Sequence, residues 1–380
     1  MTVRAVVMPA PHAPLELRTL AGPSLERGGV LLETLGSEVC GTDVHLWHGR
    51  LAGVPYPIIP GHVSVGRVAE TGGDVRDLDG RTVELGDTVV FHDVYGSCGR
   101  CWHCTVAQAQ TRCPERKVYG VTLSADEGLL GGWSEQIELR PGVQLITLPE
   151  GLPWRRFLAA GCGLPTALHA VELAAIRFGD TVCVQGCGPV GICAIILAQL
   201  RGAGRVIALD GAAIRLETAL AVGADEAIDV GGLDSAERVE AVRALTGGRG
   251  ADVTIEATGV AGAVPEGMRM TRDAGVYVIV GQYTDGGTAE INPHLDINRR
   301  HLQVRGCWGS DAGHLYRGLR VLERTADRFP WDALVSGEYP LERAQEALED
   351  VAARRVVKAL IVPGSDPPAM DSRVTGSHSG

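Results

Sequence analysis

The sequence lacks three features that would mark a membrane, secreted or nucleic-acid-binding protein. No apolar run reaches the roughly 20 residues that a bilayer-spanning helix needs. The first residues contain no long apolar segment of the signal-peptide kind, so we expect a cytoplasmic location. Basic residues are few, since 35 Lys and Arg stand against 46 Asp and Glu, a formal net charge of -11. Because such a field repels phosphate groups, neither nucleic acid nor an anionic membrane is expected as a partner.

The chain does have an ordinary globular composition and many cysteines. Its 380 residues are 45% hydrophobic and 21% charged, which is enough apolar material for two domains. Ten cysteines are present, and in a reducing compartment they are not expected to form disulfides. They should therefore be metal ligands, reactive groups or small buried hydrophobic residues, and their positions decide which.

The two parts of the chain differ in texture, with a change near Pro165. Before it, glycine and proline break short β-like runs, at 29–34, 64–70, 88–92 and 136–139. After it, predicted strands at 181–185, 205–210, 253–256, 276–280 and 302–305 alternate with helical stretches that include 190–200 and 212–222. This alternation predicts a parallel, doubly wound α/β sheet. Helical stretches at 315–324 and 341–352 and a strand at 356–362 follow, and the Pro/Ser/Gly-rich segment 364–380 is predicted to be a disordered tail.

Four cysteines lie within sixteen residues, and they are Cys98, Cys101, Cys104 and Cys113. This density predicts a tetrahedral zinc site made of four thiolates. Because no position is left open for substrate, such a site would be structural. An iron–sulfur cluster, a redox CxxC pair and four unligated cysteines are the alternatives that remain.

A glycine-rich turn follows the predicted strand 181–185, with glycines at 186, 188 and 191, and a helix comes next. An acidic residue, Asp210, stands about 20 residues further on, at the end of the next strand. In this context the motif predicts a dinucleotide site in which the helix N-terminus holds the pyrophosphate. Asp210 would accept hydrogen bonds from ribose hydroxyls and repel a 2′-phosphate, so NAD is favoured over NADP. The predicted cofactor-binding residues are Gly186, Gly188, Pro189, Val190, Gly191, Asp210 and Arg215.

Three further potential ligands are scattered along the chain: Cys40 in Cys-Gly-Thr-Asp, His62 after Gly61, and Cys162. With the four-cysteine cluster and the glycine turn, all in the same order, the chain resembles the zinc-dependent medium-chain alcohol and polyol dehydrogenases over about residues 3–362. The resemblance implies a GroES-like, mostly-β catalytic domain at 1–164 and 308–380. It implies a Rossmann NAD-binding domain at 165–307.

The resemblance also implies a mechanism. Cys40, His62 and Cys162 would bind a catalytic zinc, which makes two zinc ions per chain, and the fourth position would be open to the alcohol. Zinc would lower the pKa of the alcohol so that a hydride can pass to the nicotinamide. Thr42 and His45 would carry the proton to solvent, and Asp43 would orient His62.

Two positions depart from the family pattern. Val63 stands where a glutamate usually follows the zinc histidine, so any carboxylate that assists ligand exchange must be absent or come from elsewhere. Eight residues, where seven are commoner, separate Cys104 from Cys113, and we expect a bulged loop with all four ligands kept.

Polar and large side chains near the expected cleft suggest a polar or cyclic, polyol-like or amino-sugar-like substrate. They are Trp47, His92, Asp93, Tyr119 and Trp308. A role for His92 and Asp93 in structure alone is the alternative. Zinc-free quinone or enoyl reductases and non-catalytic NAD-binding proteins remain competing interpretations. By analogy, a homodimer or homotetramer would form through the edge strand at 302–305, and Lys358 is expected to approach the cofactor.

Overall fold

The structure, a computed structural model, describes residues 2–364. The predicted tail therefore lies outside the described residues, apart from Gly364. The first part of the chain is built from β-strands, because its short β-branched runs are interrupted by glycine and proline turns. Its strands are β1 (Thr2–Val7), β2 (Glu16–Ala21), β3 (Val30–Val39), β4 (Ser64–Thr71), β5 (Thr88–Phe91), β6 (Val94–Tyr95), β7 (Lys117–Val118), β8 (Gln136–Leu139) and β9 (Leu145–Thr147). Its helices are α1 (Gly41–Trp47), α2 (Trp102–Thr105) and α3 (Trp154–Ala160).

The second part alternates strands and helices. It begins with helix α4 (Gly163–Ala174). Its strands are β10 (Thr181–Gln185), β11 (Arg205–Asp210), β12 (Glu226–Asp229), β13 (Ala251–Glu256), β14 (Thr271–Ile279) and β15 (Gln303–Gly306). Its other helices are α5 (Pro189–Leu200), α6 (Ala213–Ala221), α7 (Ser235–Leu245) and α8 (Ala263–Met270). These strands form a parallel sheet in the order β12-β11-β10-β13-β14-β15, which is the order of a dinucleotide-binding fold.

The chain then returns to the first part. After α9 (Ala312–Arg324), strand β16 (Val335–Tyr339), helix α10 (Ala344–Ala352) and strand β17 (Lys358–Ile361) follow. The main β-sheet has the order β16-β17-β3-β4-β5-β9, with β8 also paired to β3. Because β17 pairs antiparallel with the end of β3, Lys358 is brought beside the residues that precede Cys40. The predicted fold class, a mostly-β domain with a doubly wound parallel domain, is confirmed.

Helices α4 and α5 pack on the parallel sheet, and their small and branched side chains form one core with the inner faces of the strands. Among residues 2–364, no single helix combines the length and apolar character needed to cross a membrane. Only α3 and α4 together reach those criteria, and their axes bend by 47° at the junction.

Candidate active site

The three scattered ligands predicted from the sequence come together. Cys40 directly follows β3 and caps α1, His62 lies in the loop before β4, and Cys162 precedes α4. Their donor atoms, with a carboxylate oxygen of Glu38, all lie within 4.8 Å of one another. Cys40 Sγ is 3.8 Å from His62 Nε2. Two thiols and an imidazole are the donor set of a catalytic zinc site, so the residues present fit zinc.

The protonation of the two thiols also fits a metal. Burial would raise the pKa of the Cys40 thiol, but the hydrogen bond from Cys162 and the charge of His62 lower it well below its ordinary value. The same hydrogen bond and burial raise the pKa of Cys162 well above its ordinary value. Zinc binds cysteine as the thiolate, so a metal held by both sulfurs would take the proton from the Cys162 thiol.

Asp43 makes no hydrogen bond to His62, contrary to the expectation that it orients this imidazole. Its side chain is fully buried, and its oxygens accept backbone N–H groups, Oδ2 from Cys40 at 2.9 Å and Oδ1 from Gly61 at 3.4 Å. His62 Nδ1 has no hydrogen-bond partner among the described residues. Asp43 thus ties together the two backbone segments that carry ligands, instead of orienting the imidazole, because the capping-box geometry of α1 turns its carboxylate toward Cys40.

Thr42 and His45 lie on one face of α1, three residues apart, as a proton path would need. His45 Nδ1 is 3.3 Å from the hydroxyl of Thr284, in the loop after β14. His45 is half-buried, and burial together with the charge of Arg50 lowers its pKa. The predicted surface base is therefore a partly enclosed imidazole at the junction of the two parts of the chain.

Tyr283, next to Thr284, is a site residue that the sequence analysis missed. Its ring centroid is 6.3 Å from that of His45 and 5.7 Å from that of Trp308, on which it stacks. Burial, and next the Asp93 carboxylate, raise the pKa of Tyr283 to about 12. A usable signal existed, since ligands of parallel sheets bind at the carboxyl ends of the strands, and this loop follows such an end.

The remaining candidates for the substrate pocket separate into two groups. Asp93 and Trp308 lie with Tyr283, while His92 is buried with its Nε2 unpartnered among the described residues and 3.9 Å from Asp93. Tyr119 is wrong as a cleft residue: it is fully buried, packs on Phe91 and Tyr95, and its hydroxyl accepts from the Arg140 N–H.

Trp47 packs against the first β-domain residues and its own helix end. Its indole N–H donates to the Ala13 carbonyl, and its ring contacts His12 and His48. Both Tyr119 and Trp47 are large rings that pack in or against the hydrophobic cores of the β-domain.

The four-cysteine cluster forms a compact surface lobe, here called the cysteine lobe (residues 98–113). Its four sulfurs lie within 4.8 Å of one another, with 3.6 Å between Cys101 and Cys104 and 3.7 Å between Cys113 and Cys98. Backbone N–H groups donate to Cys98 and Cys113, and the pKa of Cys98 falls to about 7, chiefly through the N–H of Arg100. This arrangement fits a closed zinc site. Arg112, at its edge, and Arg116 lie over the Trp308 ring, so the lobe buttresses the aromatic pair.

The glycine turn forms one wall of a cleft, here called the cofactor cleft. Gly186 has φ +90° and Gly188 caps α5, whose first turn holds Pro189 and Val190. A Cβ at Gly191 would lie 1.8 Å from the Gly186 carbonyl oxygen, so glycine is required for this helix–strand packing.

Asp210 ends β11 and lines the same cleft. Its Oδ2 accepts from the N–H of Cys187 at 2.7 Å and its Oδ1 from Ala212 at 3.0 Å. Arg215 lies 3.8 Å from the carboxylate. Two further arginines, Arg238 and Arg354, line the cleft and were not predicted, because they come from α7 and from the turn before β17.

Fold and site together define a class, the zinc-type dehydrogenases that bind a nicotinamide cofactor. Residues 26–150 match the alcohol dehydrogenase GroES-like domain and residues 189–324 match the zinc-binding dehydrogenase domain. The chain belongs to the zinc-dependent medium-chain dehydrogenase family, as the sequence resemblance predicted, and it is an alcohol-oxidising dehydrogenase of that family.

Several characterised relatives and solved structures are similar along nearly the whole chain. 5-exo-Hydroxycamphor dehydrogenase of Pseudomonas putida is 33% identical over 88% of this chain and 91% of its own length. Erythritol/L-threitol dehydrogenase of Mycolicibacterium smegmatis is 32% identical over 95% of this chain and 98% of its own. An alcohol dehydrogenase structure from Thermotoga maritima has TM-score 0.90 and 32% identity, covering 95% of this chain and 99% of its own. A zinc-binding dehydrogenase structure from Sinorhizobium meliloti, bound to NADP, has TM-score 0.83 and 28% identity, covering 96% and 100%.

Proposed function

We propose that the chain oxidises a polar, secondary or cyclic alcohol to the ketone with NAD as hydride acceptor, and that it carries two zinc ions. The observation that carries this proposal is the convergence of Cys40, His62 and Cys162 within 4.8 Å. Zinc held by these residues would lower the pKa of the substrate hydroxyl, and the nicotinamide would accept the hydride. The oxidation releases one hydride and one proton from the alcohol.

The chain's own residues would manage the proton. In this proposal the Thr42 hydroxyl, at the start of α1, accepts it and passes it toward His45, three residues further along the same helix. The lowered pKa of His45 keeps its imidazole neutral and able to receive a proton at neutral pH. Thr284 fixes the ring through Nδ1, and Asp43 holds the ligand-bearing backbone segments in register.

The proposed substrate class is based on the side chains close to the predicted zinc ligands. Tyr283 and Trp308 stack to form an apolar wall, and the Asp93 carboxylate raises the pKa of Tyr283 because the two groups are close. The substrate that suits both features is an alcohol whose ring or carbon chain packs against the aromatic pair. A second hydroxyl of this alcohol would point toward Asp93. Hydroxycamphor and erythritol dehydrogenases among the relatives support this choice.

The cofactor choice rests on Asp210. Its carboxylate lines the cofactor cleft where the adenosine ribose is expected, and a 2′-phosphate would meet that negative charge. The three arginines of the cleft act in the opposite direction, and Arg215 is already engaged with Asp210. We therefore favour NAD.

The test is a kinetic panel with both cofactors and measured metal content. Erythritol, cyclic diols and cyclic secondary alcohols should outperform ethanol and benzyl alcohol in kcat/KM, with NAD preferred over NADP. Wild-type protein should contain about two zinc per chain. A chelator that removes the zinc held by Cys40, His62 and Cys162 should abolish activity. Clear preference for simple aliphatic alcohols would contradict the substrate assignment, and activity that survives loss of both metals would contradict the zinc mechanism.

Assembly and location are part of the proposal. Strand β15 ends the parallel sheet, and its Gln303 and Val304 are exposed. Pairing of this edge with a second copy would cover it, so we propose a homodimer or tetramer, which light scattering would reveal. A reducing cytoplasm would keep both sets of thiol ligands available.

A further inference from the structure

Glu38 is a buried carboxylate that none of the preceding steps uses. It lies on β3 two residues before Cys40, whose backbone continues in an extended conformation after the strand, so both side chains lie on the same side of the backbone. Its side chain is 0% exposed. A carboxylate oxygen of Glu38 lies within 4.8 Å of the donor atoms of Cys40, His62 and Cys162.

The two oxygens of this carboxylate have unequal surroundings. Oε2 accepts from Lys358 Nζ at 2.9 Å and from the Cys162 N–H at 3.0 Å. Oε1 is buried and has no hydrogen-bond partner among the described residues. A buried carboxylate oxygen without a partner is costly, and a cation among the neighbouring donors would satisfy it.

The pocket around the carboxylate is shaped for it. Gly161 has φ +48°, and a Cβ there would lie 1.5 Å from Glu38 Oε2 and 2.4 Å from Lys358 Nζ. Only glycine admits the buried pair at this place. Lys358 is itself buried, and although burial lowers its pKa, the Glu38 carboxylate raises it above the ordinary value.

No neighbouring side chain discussed above offers an alternative oxygen donor to the metal. Both oxygens of Asp43 accept backbone N–H groups, and Val63, beside His62, has no donor atom. The charges also balance, because zinc offsets the two thiolates and Lys358 offsets the carboxylate.

We infer that Glu38 is a fourth protein ligand of the catalytic metal, which it binds through Oε1 while Oε2 keeps its bonds to Lys358 and Cys162. The inference rests on the proposed zinc function of this site. The site is then closed by protein donors in the absence of substrate, and the substrate oxygen competes with Glu38 for the metal.

The test compares Glu38→Gln with Glu33→Gln, a matched control that removes the same charge from an exposed residue of the same strand. Metal content, zinc release to a chromogenic chelator and the cobalt(II) absorption spectrum are measured on folded protein. Release of one of the two metals should be at least about tenfold faster in E38Q, and its cobalt d–d bands should shift. E33Q should match wild type.

A double variant separates ligation from ion pairing. E38Q leaves the buried Lys358 unpaired, which destabilises the fold, whereas E38Q/K358M removes both charges. If Glu38 is a ligand, the double variant still releases the metal fast and retains the shifted cobalt spectrum. If E38Q released zinc at the wild-type rate, or if the double variant returned to that rate, the inference about Glu38 would be overturned while the proposed zinc function would stand. Wild-type protein with metal in the cysteine lobe only would overturn the proposed zinc function and the inference with it.

Discussion

Alanine substitution at two glycines of one turn should affect different properties: stability at Gly191 and cofactor affinity at Gly188. At Gly191 the new Cβ would lie 1.8 Å from the Gly186 carbonyl oxygen and 2.9 Å from its carbonyl carbon. These are backbone atoms, so no side chain can rotate aside. At Gly188 the nearest heavy atom would be Arg215 Nη1 at 3.9 Å, and the backbone at φ -70° and ψ -177° suits any residue.

The magnitudes follow from these distances. Overpacking costs about 1–3 kcal/mol, occasionally more, and a backbone contact at 1.8 Å puts this change near the upper end of that range. Alanine in a helix returns at most about 1 kcal/mol. Gly191→Ala should therefore lose about 2 kcal/mol of unfolding free energy, or about 4–8 °C in Tm. Gly188→Ala should change stability by no more than about 1 kcal/mol, the cost of alanine at a helix cap. Its methyl group, however, would stand where the pyrophosphate approaches the backbone, so NAD affinity should fall at least about tenfold.

The assay is thermal unfolding followed by circular dichroism without cofactor, so that cofactor binding adds nothing to Tm, together with a fluorescence titration of NAD. If G188A bound NAD with the wild-type affinity, the pyrophosphate would not lie at this turn. G191A with unchanged Tm would refute the steric argument.

Three further predictions concern the proton path, the cofactor and the cysteine lobe. Because burial and the charge of Arg50 lower the pKa of His45, the acid limb of the kcat/KM profile should lie below the usual value near 6.5. Arg50→Met should raise the pKa of His45 and move that limb to higher pH, and an unmoved limb would exclude His45 as the base. Asp210→Gly should shift the ratio of kcat/KM values toward NADP, since the arginines of the cofactor cleft remain, and an unchanged ratio would count against ribose binding there. Cys104→Ser should lose one zinc by metal analysis, lower Tm and raise the KM for the alcohol, because Arg112 no longer supports Trp308; full retention of metal and Tm would contradict a zinc site in the lobe.

Much of the parallel domain could be predicted because its signals are local. The predicted strands at 181–185 and 205–210 coincide with β10 and β11, since continuous apolar runs between turn residues identify buried parallel strands. The predicted helix at 341–352 instead begins as a short 3-10 turn at Leu341–Arg343 before α10. Helices with weaker patterns, such as α7, in which Val242 is the fully buried residue, cannot be predicted in this way.

The sequence by itself determined what neighbouring residues can form together. Spacing within sixteen residues is enough to predict the cysteine lobe, and the glycine turn carries its own strand and helix. Only the tertiary structure decided what distant segments share. Glu38 meets Cys162 across 124 residues, and it meets Lys358 across 320 through the pairing of β17 with β3. The same folding buried Tyr119 in the core and turned Asp43 toward backbone N–H groups. Sequence spacing fixes local geometry, but strand register and packing choose which side chains face one another, and the cluster of Glu38, Cys40, His62 and Cys162 depends on that choice.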